Sequence, residues 1–554
     1  MGAGVGVNLL WLLPLGFLGL FFFYPLLTIL GVSLAPDGVL DLGSFVEVAT
    51  SAYYRETFGF TLGQAALSTV LTLALALPGA YVFARYAFPG KRLLLALAIL
   101  PFVLPTVVVA AAFSALVGPN GLLNTALMSV LSLDAPPIQL ERTLTLILIA
   151  HVFYNYPLAL RMISSFWANQ SPRMEEAARV LGARGWRLWW HVRLPLLRPA
   201  ILAAAAMVFL FTFTSFGVIL ILGGPRFATL EVEIYRQASS LFNLPLAAAL
   251  SLVQVGAMFL LLAFYTRLQR QMPSDLTHTA HVARRPESWR QWAVIGANVA
   301  LMAGLLFLPL LALVARSLTV GADGLTLQNY AALGLNDRRS ILFVPPLVAV
   351  GNSLVFALAT TLLAVLLGLI VSTLLARGGG RLARWLDPVF MLPLATSAVT
   401  LGFGYIIALD EPPLNLRTSP ALIPLAHTLV ALPFVVRSVL PALRAIPPQT
   451  REAARVLGAS PWQVWRRIDL PLIGRGLVVG ATFAFTVSMG EFGATVFIAR
   501  PETPTMPVVI YRLLGQPGAI NYGQALAMSV ILSAVCAISF LVIERVRVAG
   551  IGEF

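Results

Sequence analysis

Few side chains in this sequence are of the types that carry out chemistry in enzymes. The 554 residues include five histidines, one cysteine and one lysine. Cys536 stands alone in an apolar run, so it can form neither an intrachain disulfide nor a cysteine metal cluster. Lys91, in the stretch FPGKRLL, is followed by Arg92 where a phosphate-binding loop requires Ser or Thr. The sequence therefore predicts no catalytic constellation, no metal site and no ATP bound by this chain.

Four polar residues fall in predicted apolar segments and are candidates for lining a transport pathway. Glu491 is a carboxylate in such a segment, where a charge is costly and usually faces a cavity or a partner. An internal repeat of the sequence pairs Glu491 with Ser215, and it pairs His427 with His151. Glu491 is either a gate residue that favours a cation or a structural acceptor near an outer helix end. The histidines either bind a metal cargo or, as we expect, form interhelical hydrogen bonds.

A charged, tryptophan-rich segment occurs twice in this mostly apolar chain. EEAARVLGARGWRLWWHVRLP begins at Glu175, and REAARVLGASPWQVWRRIDLP begins at Arg451. One constant offset, that from Glu176 to Glu452, aligns the two copies, and we call it the repeat offset. Between Glu176 and Pro195, 12 of 20 positions are identical in the second copy without a gap. Elsewhere the repeat persists only in fragments, so we expect this segment to hold a function that both copies share.

Each copy is predicted to begin with a short helix. Pro172 lies where proline favours a first turn, because its missing N–H has no helical partner there. Ala177, Val180 and Leu181 share one face of a helix predicted over 172–181, which a glycine ends. The tryptophans that follow suit a membrane interface. A helix lying flat on the bilayer is the alternative, but it would require neither Glu-Ala-Ala nor a second copy.

The elements that position these residues are membrane spans. Hydrophobic residues make up 59% of the chain, charged residues only 11%, and the mean hydropathy is +0.87. Apolar runs of this length are typical of helices that cross a bilayer. We predict twelve spans, at roughly 9–34, 58–84, 93–116, 143–162, 199–222, 246–266, 293–315, 347–376, 386–409, 421–441, 476–498 and 523–543.

The basic charge of the chain is distributed by side of the membrane. With both termini in the cytoplasm, 27 Lys and Arg residues face inward and 10 outward, whereas 9 Asp and Glu face inward and 13 outward. This asymmetry follows the positive-inside rule and sets the orientation. The net charge of +14 is thus a topology signal, and we expect no nucleic-acid partner.

The spans divide into two equal sets. We predict a first half at 1–266, a polar cytoplasmic linker at 267–292 and a second half at 293–554. Six spans per half return the chain to the same face, which indicates parallel repeats about an axis along the membrane normal. The predicted class is an all-α integral membrane protein of about twelve transmembrane helices in two parallel six-helix repeats.

The doubled segment resembles the Glu-Ala-Ala loop of binding-protein-dependent ABC importer permeases. That pattern is Glu-Ala-Ala, three residues, Gly, nine residues, an aliphatic residue, one residue and Leu-Pro; Val192 and Ile468 occupy the aliphatic positions. The resemblance covers essentially the whole chain. It implies that each half has a cytoplasmic coupling helix seated in a groove of a separate ATPase. The coupling residues it implies are Glu176, Ala177, Ala178, Gly182, Glu452, Ala453, Ala454 and Gly458.

The same resemblance implies the partners. Two ATPase subunits, carrying ATP-Mg, would bind the cytoplasmic face, and an external binding protein would deliver the solute. The chain itself would hold no cofactor and would lie as a multi-pass protein in a bacterial inner membrane. A secondary transporter can also have twelve spans in two halves, and it is the alternative outside this family, although it requires no ATPase and no doubled cytoplasmic helix.

The cargo is indicated less directly. Fusion of both halves in one chain is similar to the thiamine and ferric-iron branches of these permeases. The stretch at 213–237 looks most like the thiamine type, whereas GEFGATVFIAR at 490–500 also resembles molybdate and sulfate permeases. We expect thiamine or a thiamine precursor as the cargo, with ferric iron as the alternative.

Overall fold

The computed structural model describes residues 10–36, 38–170, 173–270, 283–320, 323–335, 342–377, 381–410 and 414–548. Within these ranges, eleven helices are long and apolar enough to cross a membrane, and a helix pair bent by 92° is a twelfth candidate. The prediction of about twelve spans is confirmed. In chain order, with the bent pair as the ninth, the spans are Leu12–Leu34, Ala52–Arg85, Thr106–Leu131, Leu144–Ala168, Gly185–Phe213, Leu244–Arg267, Trp289–Ser317, Pro346–Ala376, Ala383–Leu394 with Ala398–Ala408, Leu422–Arg444, Pro461–Gly490 and Ala519–Val546.

Short elements connect the spans. The strands found in the described ranges form one two-stranded antiparallel ribbon, Thr319–Val320 with Asp323–Leu325, so the all-α class is confirmed. The connecting helices and turns are Gly43–Thr50, Lys91–Ala98, Leu100–Val103, Arg173–Val180, Gly217–Leu222, Gly224–Arg226, Leu230–Ser239, Gln328–Ala331, Ala332–Gly334, Pro448–Val456, Thr495–Ile498 and Met506–Leu514.

Two spans of each half are interrupted at equivalent places. In the first half, Leu104-Pro105 separates a short helix from the third span, and Leu392-Pro393 lies at the bend of the ninth. Proline lacks the N–H that would continue the helical hydrogen bonds, so each helix restarts there. The fifth and eleventh spans stop at Phe213 and Gly490, and short helices resume a few residues later.

These interruptions correct three predicted boundaries. The third span begins at Thr106 rather than at 93, because the segment before it forms separate short helices. The spans predicted at 199–222 and 476–498 do not run through, since their helices end at Phe213 and Gly490. Residues at an interruption that is buried in protein remain apolar, so the hydropathy of the sequence shows one continuous apolar run in each case.

The two halves exchange their first spans. Leu18 and Phe22 share a buried cluster with Leu401 and Tyr405 of the ninth span. In the reciprocal arrangement, the seventh span packs against the third span of the first half. Each half therefore covers part of the other, while its own fourth or tenth span, 72% buried in each case, forms its centre.

The predicted linker is described only at its two ends. The sixth helix continues to Arg270 and the seventh begins at Trp289, so both helices extend into 267–292. Residues 271–282 of that linker lie outside the described residues. At the downstream end, Arg284 pairs with the loop after the second span, where its carbonyl oxygen accepts a hydrogen bond from Ala87 N at 2.9 Å.

Candidate functional site

Both copies of the doubled segment form a short helix followed by a glycine turn. The helices are Arg173–Val180 and Pro448–Val456, close to the predicted span of 172–181 in the first copy. Gly182 and Gly458 have φ angles of +88° and +83°. This left-handed conformation suits glycine, because a side chain would clash with the backbone there. The glycine is therefore needed to turn the chain toward the next span.

The outward faces of these helices are uncovered. Glu176 and Ala177 are exposed and Ala178 is half-buried, and the same holds for Glu452, Ala453 and Ala454. At the helix ends, Val180 and Leu181 are each 88% exposed, and Val456 and Leu457 are each 87% exposed. These exposed apolar residues lie at equivalent ends of the two helices and form a candidate contact surface. We call the four residues Val180, Leu181, Val456 and Leu457 the apolar tips.

The inward face of the first helix is held by Glu175 rather than by Glu176. The Glu175 carboxylate accepts hydrogen bonds from Arg85 Nη1 at 2.7 and 2.8 Å and from Arg193 Nε and Nη2 at 3.1 Å. Burial acts to raise the pKa of Glu175, but the hydrogen bonds and charges of Arg193 and Arg85 outweigh it and lower the pKa. Glu176 makes only a long contact, 3.9 Å, with the exposed Arg284.

The second copy uses the same contact with its charges reversed. Arg451 occupies the position of Glu175, and Asp469 occupies the position of Arg193. Arg451 Nε donates to Asp469 Oδ1 at 2.7 Å, and Asp469 is fully buried. Each short helix is thus fastened to the start of the following span by an ion pair, with the acid on the helix in one half and on the span in the other.

The tryptophans lie beside these ion pairs in the sequence. Trp186 stacks on Trp190, with ring centroids 5.5 Å apart, and Trp462 stacks on Trp465 at 5.0 Å. Both copies then contain a wide helical turn with i to i+5 hydrogen bonding, at Trp189–Arg193 and Trp465–Asp469. Such turns are frequent at functional sites. The two copies therefore share a backbone irregularity as well as a sequence.

The two candidate histidines each bridge helices inside their own half. His151 Nδ1 lies 3.0 Å from Ser68 Oγ, and its Nε2 lies 2.8 Å from Ser215 Oγ. His427 Nδ1 lies 2.7 Å from Ser488 Oγ, and its Nε2 lies 2.8 Å from the Thr495 hydroxyl. Groups of three or more potential metal-ligating side chains do not occur among the described residues.

Glu491 occupies the gap between the eleventh span and the helix Thr495–Ile498. Its Oε1 accepts a hydrogen bond from Ala494 N at 2.8 Å, and its Oε2 accepts one from Thr495 N at 3.0 Å and another from the Thr495 hydroxyl. His427 Nε2 is 3.3 Å from Oε2. The carboxylate therefore caps a helix restart with both oxygens, next to the histidine whose counterpart, His151, contacts Ser215.

Two features near this region were missed by sequence reasoning. Glu231 is one of the 13 acidic residues that the predicted topology places on the outer side, yet it is 2% exposed and its Oε1 accepts a hydrogen bond from Gln254 Nε2 at 2.7 Å. Phe216 and Phe492 stack across the two halves. Their signal was present in the sequence, because Phe216-Gly217 recurs as Phe492-Gly493 at the repeat offset.

Comparison with known proteins shows the repeat again. The family described as "Binding-protein-dependent transport system inner membrane component" matches the chain at residues 76–274 and at 340–547. Three relatives, each named thiamine transport system permease protein, align over nearly the full chain. The relative from Escherichia coli (strain K12) is 28% identical over 511 residues, which cover 90% of each chain. The relative from Brucella abortus (strain 2308) is 28% identical over 510 residues, which cover 91% of this chain and 90% of the relative. The relative from Haemophilus influenzae (strain ATCC 51907 / DSM 11121 / KW20 / Rd) is 26% identical over 508 residues, which cover 90% of each chain.

Proposed function

Since this chain belongs to the family of binding-protein-dependent transport system inner membrane components, matched once by each half, we propose that it is the fused permease of a thiamine importer. The observation that carries the cargo is the alignment with proteins named thiamine permeases over 90% of both chains, which includes the fusion of the two halves. A match to one half alone would support the transport class without the cargo.

In this proposal, the energy comes from two ATPase subunits that bind ATP-Mg outside this chain. The doubled short helices with their apolar tips support it, because two equivalent exposed surfaces suit two equivalent sockets. The coupling residues would be Glu176, Ala177, Ala178 and Gly182 with their second-half counterparts. An external binding protein would deliver the solute to the opposite face. The distribution of basic residues supports an inner-membrane orientation with both termini in the cytoplasm.

The pathway would run between the two halves and open alternately to either side. ATPase closure at the two short helices would move the halves relative to one another, because an ion pair joins each helix to the start of the fifth or eleventh span. Ser215 and Glu491 lie at the interrupted outer ends of those spans, and His151 and His427 contact them from the fourth and tenth spans, so such a movement would change the pathway there. No enzymatic step is assigned to this chain.

Uptake measurements test the cargo. We expect cells with the gene to accumulate labelled thiamine from a dilute medium, and cells lacking it to lose that uptake. Labelled ferric iron, the alternative cargo, is measured in the same two strains. Equal thiamine uptake in both strains, with iron uptake lost on deletion, would replace the thiamine assignment by the iron assignment.

A further inference from the structure

Four aromatic rings meet where the two halves touch at the outer ends of the interrupted spans. We call Phe216, Tyr235, Phe492 and Tyr511 the aromatic quartet. Phe216 and Phe492 are equivalent at the repeat offset, and so are Tyr235 and Tyr511. The phenylalanines follow the fifth and eleventh spans, whereas the tyrosines lie on the outer helices Leu230–Ser239 and Met506–Leu514. The quartet is therefore built from two copies of one unit.

Each half contributes a Phe–Tyr pair that is packed within that half. The Phe216 and Tyr235 ring centroids are 5.5 Å apart with an interplanar angle of 65°. The Phe492 and Tyr511 centroids are 5.4 Å apart at 59°. The first pair is edge-to-face, a favourable geometry for aromatic rings, and the second pair is tilted. Each pair would consequently stay together when its half moves as a body.

Other ring contacts cross between the halves. Phe216 stacks on Phe492 with centroids 5.5 Å apart and planes 24° from parallel. Tyr235 meets Phe497 of the other half edge-on, with ring centroids 5.3 Å apart. Phe216 and Phe492 are 6% and 3% exposed, so these contacts close the space between the halves.

Glycines allow the rings to come this close. A Cβ atom at Gly217 would lie 2.3 Å from Thr106 Oγ1 and 3.3 Å from Phe492 Cδ1. A Cβ atom at Gly493 would lie 3.0 Å from Ala398 Cβ. The 2.3 Å separation does not fit a real side chain unless Thr106 moves, and the 3.0 Å separation is tighter than most Cβ contacts, so both Phe-Gly dipeptides favour glycine. Both halves thus share the Phe-Gly arrangement that brings the two phenylalanine faces together.

One carboxylate and the ring faces favour a cation at the quartet. Glu491 directly precedes Phe492. Glu231 lies one helical turn before Tyr235, but burial raises its pKa to about 8, so this carboxyl carries little charge at neutral pH. Arg236 is paired with Glu233 at 3.2 Å, and Arg512 directly follows Tyr511. The faces of phenylalanine and tyrosine rings themselves attract cations through their quadrupoles.

We propose that the aromatic quartet is the outer closure of the pathway and the stacking site for a flat aromatic cation, an inference that rests on the proposed function. Separation of the halves breaks only the contacts that cross between them and leaves both Phe–Tyr pairs intact. A planar ring then enters between Phe216 and Phe492 and replaces their mutual stacking with two new stacked faces. The ring faces of Phe216 and Phe492 that this separation uncovers therefore suit a planar aromatic cation.

A pair of double variants tests the stacking site. Phe216→Leu with Phe492→Leu keeps apolar volume but removes both ring faces. The matched control, Phe434→Leu with Phe483→Leu, removes a stacked pair with centroids 6.0 Å apart that lies wholly within the second half. We expect thiamine uptake at subsaturating concentration to fall about tenfold in the first variant and by less than about twofold in the control. Equal uptake in the two variants would overturn the stacking site.

A crosslink tests the closure independently of the cargo. In a Cys536→Ala background, Phe216→Cys with Phe492→Cys should crosslink readily in the resting complex. Crosslinking should fall when the complex, with its ATPase subunits, is trapped by ATP and vanadate, because the halves then separate at their outer ends. Unchanged crosslinking in the trapped state would overturn the closure. If the unmodified protein takes up no thiamine, the proposed function and the stacking site both fail, while the crosslink still decides the closure.

Discussion

Glu175 and its basic partners show how much depends on one residue of the doubled segment. The sequence singled out Glu176 because Glu-Ala-Ala is what repeats, yet Glu175 is the acid that holds the helix to the spans. Neighbouring residues on a helix point about 100° apart, and only tertiary packing decides which of them is buried. The counterpart of Glu175 is Arg451, so a search for identical residues could not find a contact whose charges are reversed.

Reversing charges in the first half tests this contact. Glu175→Arg should destabilise the protein by about 2 kcal/mol, since it places a third cation between Arg85 and Arg193. Adding Arg193→Glu should recover only part of the loss, because Arg85 still repels the new arginine. Adding Arg85→Glu as well should recover most of it. Thermal unfolding in detergent gives the order, and equal stability of the single and triple variants would contradict it.

The same carboxylate gives a pH dependence with a defined sign. Because the folded protein lowers the pKa of Glu175 below its ordinary value of 4.5, the ion pairs contribute fully above that pH. Their contribution is lost as pH falls through the lowered pKa. We expect the difference in melting temperature between the protein and Glu175→Gln to stay constant from neutral pH to about 4.5 and to shrink below it. Glu176→Gln, at an exposed position, is the control and should show little difference at any pH.

Glu491 accepts hydrogen bonds with both of its carboxylate oxygens. An acceptor with one free oxygen would tolerate glutamine, but here both oxygens accept backbone N–H groups. In Glu491→Gln one oxygen is replaced by an NH₂ group that faces a donor, so stability should fall by about 1 to 3 kcal/mol. Thermal unfolding and uptake are measured together. Unchanged stability with reduced uptake would show that the charge acts on the cargo rather than on the helix cap.

At the scale of elements, the sequence predicted the existence of helices better than their ends. Long apolar runs and the doubled motif located nearly every span, because burial in a bilayer demands apolar residues over a fixed length. The interruptions at Leu104-Pro105 and Phe216-Gly217 were invisible to hydropathy, although each contains proline or glycine. Whether such a residue breaks or only bends a helix depends on the neighbouring helices, which a single sequence does not show.

The prediction at this scale concerns the two short helices of the doubled segment. Replacing all four apolar tips by serine should leave the fold intact, since these side chains contact little of the permease itself. Association with the ATPase subunits should weaken by at least about tenfold, because the variant removes the apolar surface offered to each socket. Co-purification and stimulated ATP hydrolysis measure this association. Serine at Leu472 and Val478, exposed residues of the eleventh span, serves as the control, and equal loss in both variants would contradict the assignment.

At the scale of the whole molecule, the exchanged first spans hold the halves together. The contacts of Leu18 and Phe22 with the ninth span do not involve the linker. We therefore expect residues 1–276 and 277–554, expressed as two chains, to assemble and co-purify. For comparison, the chain is divided after the first span, at residue 40, so that this helix is expressed apart from the rest of its half. Failure of the first pair to assemble, with success of the second, would show that the linker and not the exchange joins the halves.

The exchanged first span also has a consequence for synthesis on the ribosome. Leu18 is made long before its buried partners Leu401 and Tyr405, with most of the chain still to be translated. At translation rates of about 5 to 20 residues per second, that interval lasts roughly 20 to 80 seconds. During this time the face of the first helix that will contact the ninth span has lipid in place of its final neighbours. The third span, by contrast, is already in the membrane when the seventh span emerges. The docking of the N-terminal helix on the other half must therefore wait until the ninth span, which ends at Ala408, has been made.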